Sequence, residues 1–162
     1  MENTLVVYTP AIPKDMGELV YVQEHGYRVI KRSRMLGEIA QGQRCMAVAG
    51  THGKTTTSTL TSHLFTDSGA GCSAFLGGIS KNYGTNLLLS DTSDYVVIEA
   101  DEFDRSFHWL TPFATVITST DADHLDIYGT EEAYLESFSH YTSLILPGGA
   151  LIMRQGISLQ PR

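Results

Sequence analysis

Ala49-Gly50-Thr51-His52-Gly53-Lys54-Thr55-Thr56-Thr57 is the stretch on which the reading of this chain turns. Met46-Ala47-Val48-Ala49 is apolar on consecutive positions, as in a strand buried on both faces. Thr55 to Asp67 reads as a helix. Between them the glycines let the backbone curl, so that N–H groups face a phosphate at a helix N-terminus. Lys54 is the residue that reaches the β- and γ-phosphates, and the Thr55 hydroxyl is placed for Mg²⁺. The loop is shorter than the common form. Val48 stands where that form has its first glycine, and Gly50 is only three residues before Gly53. The bland alternative is a glycine turn capping a helix, with Lys54 on the surface. A Gly-Lys-Thr-Thr run at a strand-to-helix junction weighs against it, as do three threonines with poor helix propensity.

The same alternation extends in both directions. Upstream, Leu5–Tyr8 and Arg28–Ile30 read as strands, with a helix from Asp15 to near Gly26. A second helix carries Met35, Leu36, Ile39 and Ala40, capped by Ser33 and stopped by Gly42. Downstream, strands are expected at Ser73–Leu76, Tyr95–Ala100, Ala114–Thr118 and Ala150–Met153, and a helix at Thr130–Leu144. The fold class is α/β, a parallel sheet with flanking helices. A domain boundary is expected at Gly42-Gln43-Arg44. Residues 1–43 would then close a Rossmann-like unit, and residues 44–162 would open a nucleotide-binding unit.

Two acidic segments follow strand ends, where α/β sheets place their ligands. Glu99-Ala100-Asp101-Glu102, with Asp104, offers oxygen ligands suited to Mg²⁺. Asp121-Ala122-Asp123-His124-Leu125-Asp126 sets one imidazole among three carboxylates, a neighbourhood that favours its charged form or metal ligation. A solvated acidic loop and a structural histidine are the plain alternatives, and convergence on a phosphate loop outweighs them. His25, His63, His108 and His140 read as surface or packing residues, and His52 stays open. The formal charge of −7 over 162 residues argues against a nucleic-acid partner but not against a nucleotide. No apolar run is long enough to span a bilayer, and no signal peptide is seen at the N-terminus. Cys45 and Cys72 read as two buried thiols of a reduced, cytoplasmic protein.

Taken together these residues resemble the Mur ligases, ATP-dependent amino-acid ligases of peptidoglycan synthesis. Gly50 to Thr55 is similar to the family's shortened loop, Gly-Thr-x-Gly-Lys-Thr. Glu99 to Asp104 looks like its Glu-Ala-Asp-Glu-x-Asp segment, and Asp123 to Asp126 like its Asp-His-x-Asp. Thr9-Pro10-Ala11-Ile12-Pro13 and Lys31-Arg32-Ser33-x-Met35-Leu36 resemble the end of its UDP-binding domain. Three motifs in order, over nearly the whole chain, make the resemblance specific.

The resemblance implies ATP and Mg²⁺ as cofactors, with Gly50, Thr51, His52, Gly53, Lys54, Thr55 and Thr56 at the nucleotide. It implies Lys54, Glu99 and His124 as catalytic, and Thr55, Glu99 and His124 as metal-holding. Gly77, Gly78, Asn86 and Arg32 are the substrate-side candidates. The short segment Asp104–Leu110 is similar to the branch that joins L-alanine to UDP-N-acetylmuramate through an acyl phosphate. The murein-peptide ligase of peptidoglycan recycling, with a longer segment there, is the alternative inside the family. A small P-loop kinase or GTPase is the alternative outside it, and would need a longer loop and a base-reading motif, neither of which is found. A binding module without activity is a third.

Two features depart from the family pattern or are missing from it. Ser119 stands where the family usually has Asn, and a hydroxyl does not replicate an amide. No lysine follows Lys81, so a carbamylated lysine is not available. The start of the UDP domain and the C-terminal domain are not found, and the central unit looks cut short after Arg162. An internal fragment, inactive by itself, is the expectation.

Overall fold

The structure is a computed structural model and describes residues 3–162. Two parallel strands, β1 (Leu5–Tyr8) and β2 (Arg28–Lys31), form a small sheet. The crossover between them is α1 (Gly17–Glu24), and α2 (Arg32–Ala40) follows β2 without a break. Ser33 lies inside α2 rather than at its cap. The N-cap is Lys31, with no capping side chain, and the Ser33 hydroxyl is buried without a partner among the described residues. A Ser near an apolar-periodic run looks like a cap in sequence. Here the strand feeds the helix directly and leaves no loop for one.

The second sheet has six strands in the order β5-β4-β6-β3-β7-β8. They are β3 (Arg44–Ala49), β4 (Ser73–Ser80), β5 (Thr85–Leu88), β6 (Tyr95–Glu99), β7 (Ala114–Ile117) and β8 (Ala150–Met153). All neighbours are parallel except β4 and β5, a hairpin that the sequence reading did not contain. β4 runs four residues past its expected end, through Gly77 and Gly78, to make that turn. The chain leaves β3 for one side of the sheet and later crosses to the other, so β3 lies at the reversal of strand order. That is where open α/β sheets bind ligands.

Residues along β3 alternate between two apolar layers. Cys45, Ala47 and Ala49 face Tyr134, Phe138 and Tyr141 of α5 (Glu131–Thr142), together with Phe107. Met46 packs on the other face with Ala74, Val97 and Phe65. Both cysteines are free and buried, as expected. Phe65 comes from α3 (Lys54–Asp67), which presents Ser58 and Ser62, both fully buried, to the interior. Their hydroxyls bond back to Thr55 O and Ser58 O, so no polar atom is stranded. These small residues let the helix approach closely, which answers why a Ser/Thr-rich helix serves here despite its propensity. α5 starts at a Thr130 cap that accepts from Ala133 N, as the expected boundary implied. No helix among the described residues is long and apolar enough to cross a membrane.

Candidate functional site

β6, β3 and β7 are adjacent and parallel, so the ends of all three open on one edge. Gly50 leaves β3 with φ 128°, and Gly53 takes a left-handed φ of 83° as the N-cap of α3. A Cβ on Gly50 would lie 2.2 Å from Thr118 Oγ1 and 2.9 Å from Ser119 N, so the loop can pass β7 only as glycine. Thr51 N donates to Ser119 O (3.2 Å) and His52 N to Ser119 Oγ (2.9 Å). The Thr118 hydroxyl donates to His52 O (2.5 Å) and lies 3.1 Å from Ala49 O. Thr51 Oγ1 donates to Asp121 O (2.7 Å) and lies 2.9 Å from the Tyr134 hydroxyl. Thr51 and His52 thus form the outer wall of the loop, with their N–H groups spent on β7. The N–H groups of Gly53, Lys54, Thr55 and Thr56 have no partner among the described residues. They are the open donors of a helix N-terminus, the arrangement that receives an anion.

The β6 side supplies charge. Glu99 Oε1 accepts from Thr55 Oγ1 at 3.1 Å, and Oε2 from Gly77 N at 2.9 Å and Ser58 Oγ at 3.5 Å. A Cβ on Gly77 would come within 2.4 Å of that carboxylate, and one on Gly78 within 3.3 Å of the Thr55 methyl. Lys54 Nζ donates to Gly50 O (2.8 Å) and to both oxygens of Glu102 (2.8 and 3.0 Å). Glu102 is 1% exposed. Burial pushes its carboxyl above the usual range, and the hydrogen bond from Lys54 pulls it back. The sequence marks Glu102 only as part of an acidic segment. The signal for its role was the need of a loop lysine for a counter-charge, three residues beyond Glu99.

A cavity of about 580 Å³ has Arg32, Gly77, Asn86 and Glu99 on its walls, with Asp101 and Phe75. Three of the four substrate-side candidates thereby share one space with Glu99, while Gly78 sits behind Thr55. A second cavity, of about 590 Å³, lies between the β1–α1 segment and Phe103-Asp104, spanned by Lys31 and Asp104 at 2.5 Å. His124 has a left-handed φ of 53° at the start of α4 (Leu125–Tyr128). Its ring meets Phe103 edge-on at 5.3 Å and Asp123 at 3.8 Å. No hydrogen bond joins it to Glu99 or to the loop among the described residues.

Thr55 and Glu99 offer a hydroxyl and a carboxylate side by side, the hard oxygen donors that suit Mg²⁺. No cluster of three or more Asp, Glu, His or Cys with metal-holding geometry occurs among the described residues. An ion here would complete its shell with ligand oxygens and water, as Mg²⁺ does at nucleotide phosphates.

Comparison with known proteins agrees with this geometry. Residues 48–156 match the family model for the Mur ligase middle domain. The UDP-N-acetylmuramate–L-alanine ligase of Phocaeicola vulgatus is 68% identical over 159 residues, 98% of this chain and 35% of that protein. The ligase of the same name from Parabacteroides distasonis is 63% identical over 161 residues, 99% of this chain and again 35% of the relative. The chain thus spans about a third of the length of these relatives. Among solved structures, UDP-N-acetylmuramate-alanine ligase MurC from Thermotoga maritima superposes with a TM-score of 0.83 at 26% identity, covering 94% of this chain and 35% of that one. The murein-peptide ligase from Neisseria meningitides has the same fold, with a TM-score of 0.84 at 24% identity over 94% of this chain and 52% of that one. With the family's middle domain matched from near the end of β3 to beyond β8, this chain belongs to the Mur ligase family.

Proposed function

We propose that this chain forms the phosphate-binding part of an ATP-dependent ligase that joins L-alanine to UDP-N-acetylmuramate in peptidoglycan synthesis. The observation that carries the reading is the meeting of the two strand-end loops. Lys54 of the phosphate loop and the Thr55–Glu99 pair stand on one edge, against a cavity lined by Arg32, Gly77 and Asn86. The alanine ligases at 68% and 63% identity support the choice of substrate.

In this reading the ATP phosphates sit on the N–H groups of Gly53 to Thr56. The carboxylate of UDP-N-acetylmuramate approaches from the Arg32 cavity. Its oxygen attacks the γ-phosphorus, the bond to ADP breaks, and an acyl phosphate forms. The amine of L-alanine then attacks the acyl carbon and inorganic phosphate departs with the amide made. Two anions must meet in the first step, and Lys54 with the helix N-terminus offsets their repulsion as charge shifts to the leaving oxygen. Thr55 and Glu99 would hold Mg²⁺, which when bound supplies further neutralisation of phosphate charge, and His124, whose ring lies against Phe103 and Asp123, is the candidate for a second ion shared with Glu99. Glu99, fixed by Gly77 N and the Thr55 hydroxyl, would face the carboxylate-bearing substrate. Arg32 would contact the nucleotide half of the UDP-sugar.

Residues 1–43 are read as the end of the UDP-binding unit and residues 44–162 as the start of the ATP-binding unit, with a reduced cytoplasmic setting that suits two buried free thiols. The reading is tested by placing these 162 residues into the matching third of the Phocaeicola vulgatus ligase. Phosphate release that needs both L-alanine and UDP-N-acetylmuramate, and that Lys54→Ala removes, is the expected result. Release indifferent to alanine would defeat it.

A further inference from the structure

We propose that Glu102 is the positioning residue of the phosphate-loop lysine: it holds the Lys54 ammonium at the loop so that one N–H stays free for a phosphate oxygen. The proposal rests on the phosphate-loop reading above and adds a residue to it. An ammonium has three donors. Gly50 O takes one at 2.8 Å, and the Glu102 carboxylate takes a second at 2.8 Å, shared with its other oxygen at 3.0 Å. The third is left for a ligand. Were Lys54 to swing away entirely, a carboxylate that is 1% exposed would be left without its charge partner, an arrangement that strongly destabilises buried pairs. Sharing the lysine therefore costs less than surrendering it.

The surrounding loop is built to fix this one carboxylate. Asp104 and Arg105 are consecutive non-glycine residues with φ of 51° and 55°, a conformation that persists only where neighbours enforce it. Each is held by a separate contact. Asp104 pairs with Lys31 at 2.5 Å, and the Arg105 guanidinium lies 4.6 Å above the Tyr128 ring. The Glu102 carbonyl accepts from both Arg105 N (3.0 Å) and the Tyr128 hydroxyl. The strain and its clamps thus bracket Glu102, whose carboxylate points to Lys54 and not to solvent.

The test uses the 162-residue chain labelled with ¹⁵N-lysine. A held ammonium exchanges slowly and gives its own NMR cross-peak, assigned to Lys54 by its loss in Lys54→Ala. The cross-peak is expected in the wild type, shifted but not lost with Mg·ATP, and absent in Glu102→Gln. ATP affinity is expected to fall about 10-fold in Glu102→Gln, or about 1.4 kcal/mol, with AMP affinity unchanged and Glu102→Asp in between. General damage to the fold would weaken AMP and ATP alike. An unchanged cross-peak in Glu102→Gln overturns the proposal, as does equal loss of both nucleotides. Tighter ATP binding in that variant would mean that the carboxylate competes with phosphate, and also overturns it. So does a wild-type cross-peak that Mg·ATP does not move, since a lysine that no phosphate reaches needs no positioning. A Lys54→Ala chain that binds ATP like the wild type refutes the loop reading itself, a separate outcome.

Discussion

The loops after β6 and after β7 flank the same phosphate loop, and they grip it by different means. The β6 loop reaches it with carboxylates, Glu99 on Thr55 and Glu102 on Lys54. The β7 loop reaches it with neutral groups, the Thr118 and Ser119 hydroxyls and the Ser119 carbonyl, all directed at backbone. Its charged groups, Asp121, Asp123 and Asp126, are exposed, and the one that faces the loop, Asp121, meets only the exposed His52 ring at 3.9 Å. One side sets where charge stands, and the other sets the shape of the loop. Damage on the β7 side should therefore appear first in stability, and damage on the β6 side first in ligand binding.

The largest effect is expected where the two sides cannot both be satisfied. Gly50→Ala puts a Cβ 2.2 Å from Thr118 Oγ1 and 2.9 Å from Ser119 N, at a φ of 128°. Backbone strain of about 1–3 kcal/mol adds to overpacking of similar size, for a loss on the order of 4 kcal/mol in urea denaturation. A loss under about 1 kcal/mol would mean that the β7 wall is soft.

Gly77→Ala should separate binding from stability. The added Cβ first meets the end of the Glu99 side chain, at 2.4 Å, and that end can rotate away. Stability should change by less than about 1 kcal/mol. The Thr55–Glu99 pair would be broken, and Mg²⁺-dependent ATP affinity should drop about 10-fold, or about 1.4 kcal/mol. Unchanged affinity with full stability would remove Glu99 from the charge-setting side.

The sequence carried most of this layout because its signals were local. Gly50 to Thr56, the strand-end acids and the doubly apolar runs are short-range patterns whose physics does not depend on the rest of the fold. The part that was not legible is long-range. Glu102 looks like one acid among several until the fold buries it on Lys54, 48 residues away in the chain. Ser119 stands where the resemblance implies Asn, yet its hydroxyl and carbonyl both hold the loop, because what the loop needs at that point is an acceptor near two N–H groups. The β4–β5 hairpin was missed because Ile79 and Leu87 are exposed and Gly77-Gly78 interrupts the strand pattern. Ser33 was misplaced since capping chemistry is recognised by residue type, while the cap is decided by where the preceding strand ends.

On the β7 side, Thr118→Val keeps shape and loses the hydroxyl that serves His52 O and Ala49 O. The expected cost is about 1 kcal/mol, the typical net worth of such a contact, read as a lowered urea midpoint. ATP affinity should move less than in Gly77→Ala. A reversed order, with affinity hit harder than stability, would break the division between the two loops.

The smallest effect concerns pH and belongs to the far end of the β6 loop. His108 stacks on Phe107 at 4.7 Å, and its Nε2 lies 3.0 Å from Ser137 O on α5. Burial lowers its pKa below the ordinary histidine value, the Ser137 carbonyl works against that, and the charges of His140 and Arg105 add to the lowering. A histidine whose folded pKa is depressed favours folding in its neutral form. Its contribution is therefore complete above the unfolded value of about 6.5 and is lost as pH falls through the lower folded value. Urea midpoints measured at pH 7.5 and near pH 5.5 should fall toward acid in the wild type and fall less in His108→Gln. Glu102, whose raised carboxyl acts in the opposite sense, is common to both proteins and cancels in the difference. Equal slopes in the two proteins would show that the neutral imidazole is not what fastens this loop to α5, and the β6 side would then owe its rigidity to Phe107, the Lys31–Asp104 pair and the Tyr128 contacts.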